Sequence, residues 1–87
     1  MYAIEWTRDA LRDMRRLPAD LRRRILGKLD GVAAGPHDDH PQVKALSHDL
    51  AGWYRLRVGD WRVVYALDDA GKRLIVARVK TRSEAYD

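Results

Sequence analysis

The first half of the chain has apolar residues at helical spacing after a short strand-like opening. Residues 2–7, YAIEWT, are aromatic and β-branched and predict a first strand. From Arg8 the apolar residues recur three and four positions apart, which predicts a helix capped by Thr7 and ending before Pro18. A second amphipathic helix is predicted from Pro18 to Gly35. Two short amphipathic helices in succession indicate a helical hairpin.

The second half of the chain changes to alternation of apolar and polar residues. Segments 53–58 and 61–67 predict two strands joined by Gly59-Asp60, a two-residue hairpin signal. A third strand is predicted at residues 73–80. The order β-α-α-β-β-β predicts an α+β fold, in which an antiparallel sheet carries the helical hairpin on one face.

The two halves are separated by residues 36–51, which contain two prolines and all three histidines. This composition predicts a long ordered loop, with a turn of helix near its end. The HDDH stretch within it, residues 37–40, raises the alternatives of a metal site or an ordinary ribonuclease. Its spacing alone is weak evidence for either, and a solvated loop without metal is the favoured interpretation.

Composition narrows the choice of partners and compartment. Seventeen Lys and Arg stand against 13 Asp and Glu, and 13 of the 17 are arginine, whose planar fork pairs well with phosphate. The absence of cysteine excludes disulfides and thiolate metal sites. No segment has the pattern of a signal peptide or a membrane span, so we expect no membrane association and a cytoplasmic location. The 87 residues are expected to form one domain, 1–87.

Strand alternation sorts the arginines onto one face of the sheet. Tyr54, Leu56 and Val58 are expected to face the helices, which leaves Arg55 and Arg57 on the other side. The same reasoning places the following bases on one sheet face: Arg55, Arg57, Arg62, Arg78 and Lys80, with Leu74 and Val76 beside them and Arg82 two residues further on. The alternative is a solvated sheet face that arginine keeps soluble and protects from edge pairing.

The block LAGWYRLRVGDWRVVYAL, residues 50–67, strongly resembles the signature of the RelE/ParE superfamily of toxins from bacterial toxin–antitoxin pairs. The opening IEWTRDALRDMRRLP resembles the first strand and helix of that family, and VKTRSEAY resembles the C-terminal segment of its RelE branch. The resemblance implies a RelE-like, microbial ribonuclease-type fold. It also implies endonucleolytic cleavage of messenger RNA in the ribosomal A site, with no metal and no cofactor.

The resemblance also implies roles for individual residues. Arg62 corresponds to the arginine that stabilises the transition state, and Lys80 to a basic residue that serves the leaving group. Like charges around Lys80 would ease the loss of its proton, which makes it the candidate general acid. Tyr86 corresponds to a C-terminal tyrosine proposed as base or stacking residue, and nearby cations would favour its phenolate form.

The remaining candidates are expected to bind RNA. Arg55 and Arg57 correspond to phosphate-binding positions of the family, and Lys44 to a basic loop position near ribosomal RNA. Trp53 is predicted on the basic face, where it could stack a base, although a tryptophan there more often covers core. The predicted RNA-binding residues are Arg55, Arg57, Arg78, Arg82, Lys44 and Trp53.

Three partners follow from the resemblance: messenger RNA, the ribosome with its 16S ribosomal RNA, and a cognate antitoxin in a hetero-oligomer. The antitoxin is expected to contribute an acidic or amphipathic segment. Two alternatives stay open. One is a ParE-like inhibitor of DNA gyrase without nuclease activity, and the other is an inactive relative that only binds its antitoxin.

Overall fold

The computed structural model describes residues 1–35 and 40–84. The elements in chain order are β1 (Ala3–Trp6), α1 (Arg8–Arg15), α2 (Ala19–Ala34), β2 (Val43–Ala45), β3 (Trp53–Val58), β4 (Trp61–Asp68) and β5 (Arg73–Thr81). A short 3-10 helix, His48–Leu50, lies between β2 and β3. The α+β class and the predicted order are confirmed, and β2 is an additional strand.

The two helices begin and end close to the predicted positions. The Thr7 side chain caps α1 by accepting a hydrogen bond from the Ala10 backbone nitrogen, at 3.1 Å. Pro18 is the N-cap residue of α2, which continues to Ala34 and stops at Gly35. Neither described helix has both the length and the apolar character that a membrane-spanning segment requires.

The sheet has five strands in the order β1-β5-β4-β3-β2. The pairs β2–β3, β3–β4 and β4–β5 are antiparallel, whereas β1 pairs with β5 in parallel. The sheet is therefore mixed. The sequence did not reveal β2, because three residues are too few to show alternation. It did not reveal the direction of β1 either, because β1 and β5 lie at opposite ends of the chain.

Both helices pack on one face of this sheet around a single hydrophobic cluster. The cluster comprises Ala10, Met14, Leu17, Ile25, Leu29, Val32, Ala33, Leu56, Val58, Val63, Tyr65, Leu74, Val76 and Val79. Its strand members all lie on the helix-covered face, and β3 and β4 supply the residues that alternation predicted for that face. The side chains that alternate with these residues along the strands lie on the other face of the sheet.

One face assignment in β5 was wrong. Leu74 and Val76 were expected beside the bases, but both are fully buried in the core. Val64 of β4 lies opposite Arg78, whereas the next residue of β4 lies opposite Val76, so Ala77 is an extra residue in β5. Such a bulge reverses the faces on either side of it. Leu74, Val76 and Val79 of β5 therefore all face the core, while Arg78 and Lys80 stay on the opposite face.

Candidate functional site

The strand register brings several predicted bases onto neighbouring positions. Arg57 of β3 lies opposite Arg62 of β4, and Arg62 lies opposite Lys80 of β5. Two residues before Arg57 on β3, Arg55 lies opposite Lys44 of β2. Directly opposite residues on adjacent strands project to the same face. The register thus gathers these positions on the sheet face that the helices do not cover.

Arg62 is buried, with 6 % of its surface exposed, although the sequence predicted it on an open basic face. Its Nη1 atom donates hydrogen bonds to the backbone carbonyl oxygens of Gly59, at 3.1 Å, and Trp61, at 3.0 Å. The guanidinium therefore folds back against the β3–β4 turn. Because two backbone acceptors hold it, its orientation is set before any ligand binds.

A cleft of about 460 Å³ lies at the hairpin end of the sheet, and we refer to it as the hairpin cleft. It is lined by Arg24, Lys28, Gln42, Arg57, Gly59, Asp60, Arg62 and Arg82. The backbone nitrogen of Arg82 donates to the Asp60 carbonyl oxygen at 2.7 Å, which ties the residue after β5 to the hairpin turn. The cleft thus combines three predicted site residues, Arg57, Arg62 and Arg82.

Two cations of the hairpin cleft, Arg24 and Lys28, come from α2 and were not predicted. A Cβ placed on Gly59 would lie 3.4 Å from Arg24 Nη2, so this guanidinium rests against the hairpin turn. Lys28 Nζ donates to Gln42 Oε1 at 3.3 Å. The spacing of four between the two bases was a usable signal, because it places them on one side of a helix.

Arg78 forms an ion pair with a carboxylate of α1. Its Nε and Nη2 atoms donate to the two carboxylate oxygens of Asp13 in α1, at 2.9 and 3.2 Å. The backbone nitrogen of Val79 donates to the same carboxylate at 2.8 Å. Burial alone would raise the pKa of Asp13, but the bonds from Arg78 and Val79 outweigh it and the pKa is lowered. The charge of Arg78 is therefore offset within the fold.

Lys80 lines a second, smaller cleft of about 220 Å³, although its position in the sheet is opposite Arg62. This cleft is lined by Asp13, Arg16, Leu17, Pro18, Trp61, Val79, Lys80 and Glu84. The Thr81 side chain and backbone nitrogen donate to Glu84 at 2.7 and 3.3 Å, and these bonds lower the pKa of Glu84. Lys80 therefore shares its cleft with two carboxylates, Asp13 and Glu84, rather than only with like charges as predicted from sequence.

The remaining candidates are placed as follows. Trp53 lies opposite Ala66 and is half-buried, on the same side of β3 as Arg55. Tyr86 lies outside the described residues, so its role stays a prediction. Of the HDDH stretch only His40 is described, and its Nδ1 accepts a hydrogen bond from the Gln42 backbone nitrogen at 3.2 Å. In residues 1–35 and 40–84, no three His, Asp or Glu side chains form a group that could hold a metal ion.

Comparison with solved structures agrees with this architecture. The fold matches that of a chain in the crystal structure of the archaeal RelE–RelB complex from Pyrococcus horikoshii OT3, with a TM-score of 0.78 and 26 % sequence identity. The match covers 97 % of this chain and 98 % of that chain. In sequence, residues 4–86 match the family described as the ParE toxin of the type II toxin–antitoxin system, parDE. Fold and sequence together define a toxin of a type II toxin–antitoxin system.

Two curated relatives narrow the assignment within that class. The chain is 36 % identical to toxin RelE of Mycobacterium tuberculosis (strain ATCC 25618 / H37Rv), over 98 % of this chain and 86 % of that protein. It is 32 % identical to toxin RelG of the same organism, over 98 % of this chain and 95 % of that protein. The chain belongs to the RelE/ParE superfamily, in its RelE-like branch.

Proposed function

We propose that this toxin is a ribosome-dependent endoribonuclease that cleaves messenger RNA in the ribosomal A site. The observation that carries the proposal is the position of Arg62, whose guanidinium is buried and oriented by two backbone carbonyls at the wall of a cationic cleft. Arg57 and Arg82 line the same cleft. Oriented donors that are aimed at developing negative charge are commonly the largest contribution to catalysis of this kind.

The reaction that such a cleft serves is an in-line transfer within RNA. The 2′-oxygen forms a bond to the adjacent phosphorus while the bond from phosphorus to the 5′-oxygen breaks, which leaves a 2′,3′-cyclic phosphate and a 5′-hydroxyl. Negative charge develops on the non-bridging oxygens as the phosphorus becomes five-coordinate. In the proposal, Arg62 and Arg57 donate hydrogen bonds to these oxygens.

Two protons move in this reaction. In the proposal Tyr86 accepts the proton of the 2′-hydroxyl, and the Lys80 ammonium donates a proton to the departing 5′-oxygen. The position of Lys80 directly opposite Arg62 in the sheet supports its assignment. A tyrosine is a weak base near neutral pH, so much of the rate would have to come from alignment of the RNA by the ribosome.

The decisive experiment compares wild type with Arg62→Ala on programmed ribosomes carrying a defined messenger RNA. Loss of one oriented donor is expected to lower the cleavage rate by about 10²–10³-fold. Arg15→Ala is the matched control, because it removes one exposed arginine of α1 outside both clefts. Absence of cleavage by wild type, or equal rates for wild type and Arg62→Ala, would contradict the proposal.

A second candidate function is inhibition of DNA gyrase, which the ParE description of the matched family favours. A supercoiling assay with gyrase, run on the same protein preparations, separates the two. Inhibition of supercoiling without cleavage on ribosomes would select the gyrase function. Cleavage that depends on Arg62, without inhibition of supercoiling, would select the ribonuclease.

We also propose that the toxin forms a hetero-oligomer with a cognate antitoxin. Support comes from the Pyrococcus horikoshii structure, which is described as a RelE–RelB complex. The cationic positions of the open sheet face suit an acidic or amphipathic segment of that partner. Copurification of the toxin with a tagged candidate antitoxin tests this pairing.

A further inference from the structure

The hairpin cleft extends beyond the sheet onto α2. Arg24 and Lys28 line it together with the strand residues Arg57 and Arg62. The two α2 bases are four residues apart, which places their Cβ atoms about 5–6 Å apart on one side of the helix. Neither has a part in the reaction proposed above. The cleft therefore contains two cations to which the proposed cleavage reaction assigns no role.

Contacts with the hairpin and with the segment before β2 position these two cations at the cleft wall. Arg24 Nη2 rests against Gly59 in the β3–β4 turn. Lys28 Nζ donates a hydrogen bond to the side chain of Gln42. The backbone carbonyl oxygen of Gln42 in turn accepts a hydrogen bond from the Arg57 backbone nitrogen at 2.9 Å. Gln42 thus links the α2 cation to the strand that carries Arg57. The α2 bases and the strand bases form one continuous cationic surface.

The charge balance of the hairpin cleft differs from that around Arg73 and Arg78. Arg73 is paired with Glu5 and Asp68, and Arg78 is paired with Asp13. The hairpin cleft has five cationic side chains and one carboxylate, Asp60. Across residues 1–35 and 40–84, none of Arg24, Lys28, Arg57 and Arg82 forms an ion pair with a carboxylate. Five cations that converge around a single carboxylate make a concave site for a polyanion.

We propose that Arg24 and Lys28 form a second phosphate-binding subsite, so that the RNA strand held by Arg57 and Arg62 continues past the β3–β4 turn onto α2. This inference rests on the proposed function and deepens it, because it gives the path of the strand beyond the scissile phosphate. The ligand is the sugar–phosphate backbone. Binding at this subsite is therefore independent of base sequence.

The test is a salt titration of RNA binding, measured by fluorescence anisotropy with the full chain and a short single-stranded RNA. Arg24→Ala and Lys28→Ala are each expected to weaken binding several-fold. Each should also reduce the slope of log affinity against log salt by about 0.7, the value for one lost phosphate contact on a single strand. Arg24→Lys should retain the slope, since it retains the charge.

Arg23→Ala is the matched control, because Arg23 is the exposed neighbour of Arg24 on α2 and does not line the cleft. Its salt slope should equal that of wild type. The subsite is overturned if Arg24→Ala and Lys28→Ala keep the wild-type slope while thermal melts show that they are folded. It is also overturned if Arg23→Ala loses as much affinity, or if the α2 variants lose antitoxin affinity alone.

The two proposals can fail separately. If wild type leaves the messenger RNA on programmed ribosomes uncut, the ribonuclease proposal is refuted, while the anisotropy slopes still decide whether α2 binds RNA phosphate. Conversely, Arg62-dependent cleavage together with unchanged salt slopes in the α2 variants would refute the proposed subsite and leave the ribonuclease proposal standing.

Discussion

Asp13 connects α1 to β5 through hydrogen bonds to a side chain and to the backbone. Its carboxylate accepts hydrogen bonds from Arg78 and from the Val79 backbone nitrogen, and only 8 % of its surface is exposed. A buried carboxylate is stable only when such donors compensate for its lost hydration. The residue was not singled out from sequence, because an aspartate on a short helix is usually solvated.

Replacement of Asp13 should destabilise the fold. Asp13→Ala leaves the buried Val79 nitrogen without its acceptor and Arg78 without its ion pair, at a cost of about 2–3 kcal/mol in the free energy of unfolding. Asp13→Asn keeps one oxygen for Val79 and should cost less. Urea unfolding at neutral pH measures both values. Asp49→Asn, at an exposed aspartate, is the control and should lie within about 0.5 kcal/mol of wild type.

The stability that Asp13 contributes should also depend on pH. Because the pKa of Asp13 is lower in the folded chain than the ordinary 3.8, the unfolded chain takes up the proton first as pH falls. The stability that Asp13 contributes is complete at pH values above its ordinary pKa, and it is lost as pH falls through the folded-state pKa. Between about pH 6 and about pH 3, wild type should therefore lose more stability than Asp13→Asn. Equal losses would show that this carboxylate is not held as described.

At the scale of elements, the β3–β4 hairpin depends on a backbone conformation that glycine adopts readily. Gly59 has φ of 58° in the two-residue turn, and Arg24 packs against it. Gly59→Ala should destabilise the fold by about 1–2 kcal/mol, because an L side chain is strained at positive φ. It should also weaken RNA binding, since Arg62 and the turn share the hairpin cleft. Urea unfolding and anisotropy measure the two effects.

Gly27→Ala provides the opposite case. Gly27 lies on the exposed side of α2, and an added Cβ would meet nothing within 4 Å. Alanine should therefore stabilise the helix by about 0.5–1 kcal/mol without affecting binding. Equal stability changes at the two glycines would contradict the role assigned to the turn.

Periodicity predicted the helices, β3, β4 and the hairpin, because each of these elements buries one regular face. It predicted the faces of β5 only in part, since the extra residue Ala77 reverses the alternation and leaves no mark on composition. The basic strand positions could be found from sequence for the same reason. The burial of Arg62 and the approach of α2 could not, because both depend on contacts between distant parts of the chain.

At the scale of the whole molecule, five of the 17 Lys and Arg side chains line the hairpin cleft. Bases with carboxylate partners, such as Arg73, lie along β5, whereas the hairpin cleft gathers cations around a single carboxylate. This concentration should make stability sensitive to multivalent anions. A few millimolar phosphate should raise Tm more than chloride of equal ionic strength, by about 4–8 °C for each 1 kcal/mol that phosphate binding adds to the free energy of unfolding.

The double variant Arg24→Ala/Lys28→Ala separates binding from general salt effects. Exclusion of phosphate from protein surfaces stabilises any folded chain, and this effect is the same for wild type and for the double variant. The double variant should therefore show a smaller phosphate shift in Tm than wild type, by differential scanning fluorimetry. Identical shifts would mean that the cleft holds no anion in solution.

The way α1 closes against β5 also bears on self-association. β1 ends at Trp6 and pairs only with Arg73–Val76, so within residues 1–35 and 40–84 no strand pairs with the second half of β5 on that side. Thr7 Oγ1 donates to the Ala77 carbonyl oxygen at 2.9 Å, and Asp13 accepts from the Val79 nitrogen. An uncovered strand edge is a template on which another chain can add a strand. Thr7 and Asp13 occupy these backbone groups, which leaves this edge of β5 with fewer free donors and acceptors to pair with a strand of another chain.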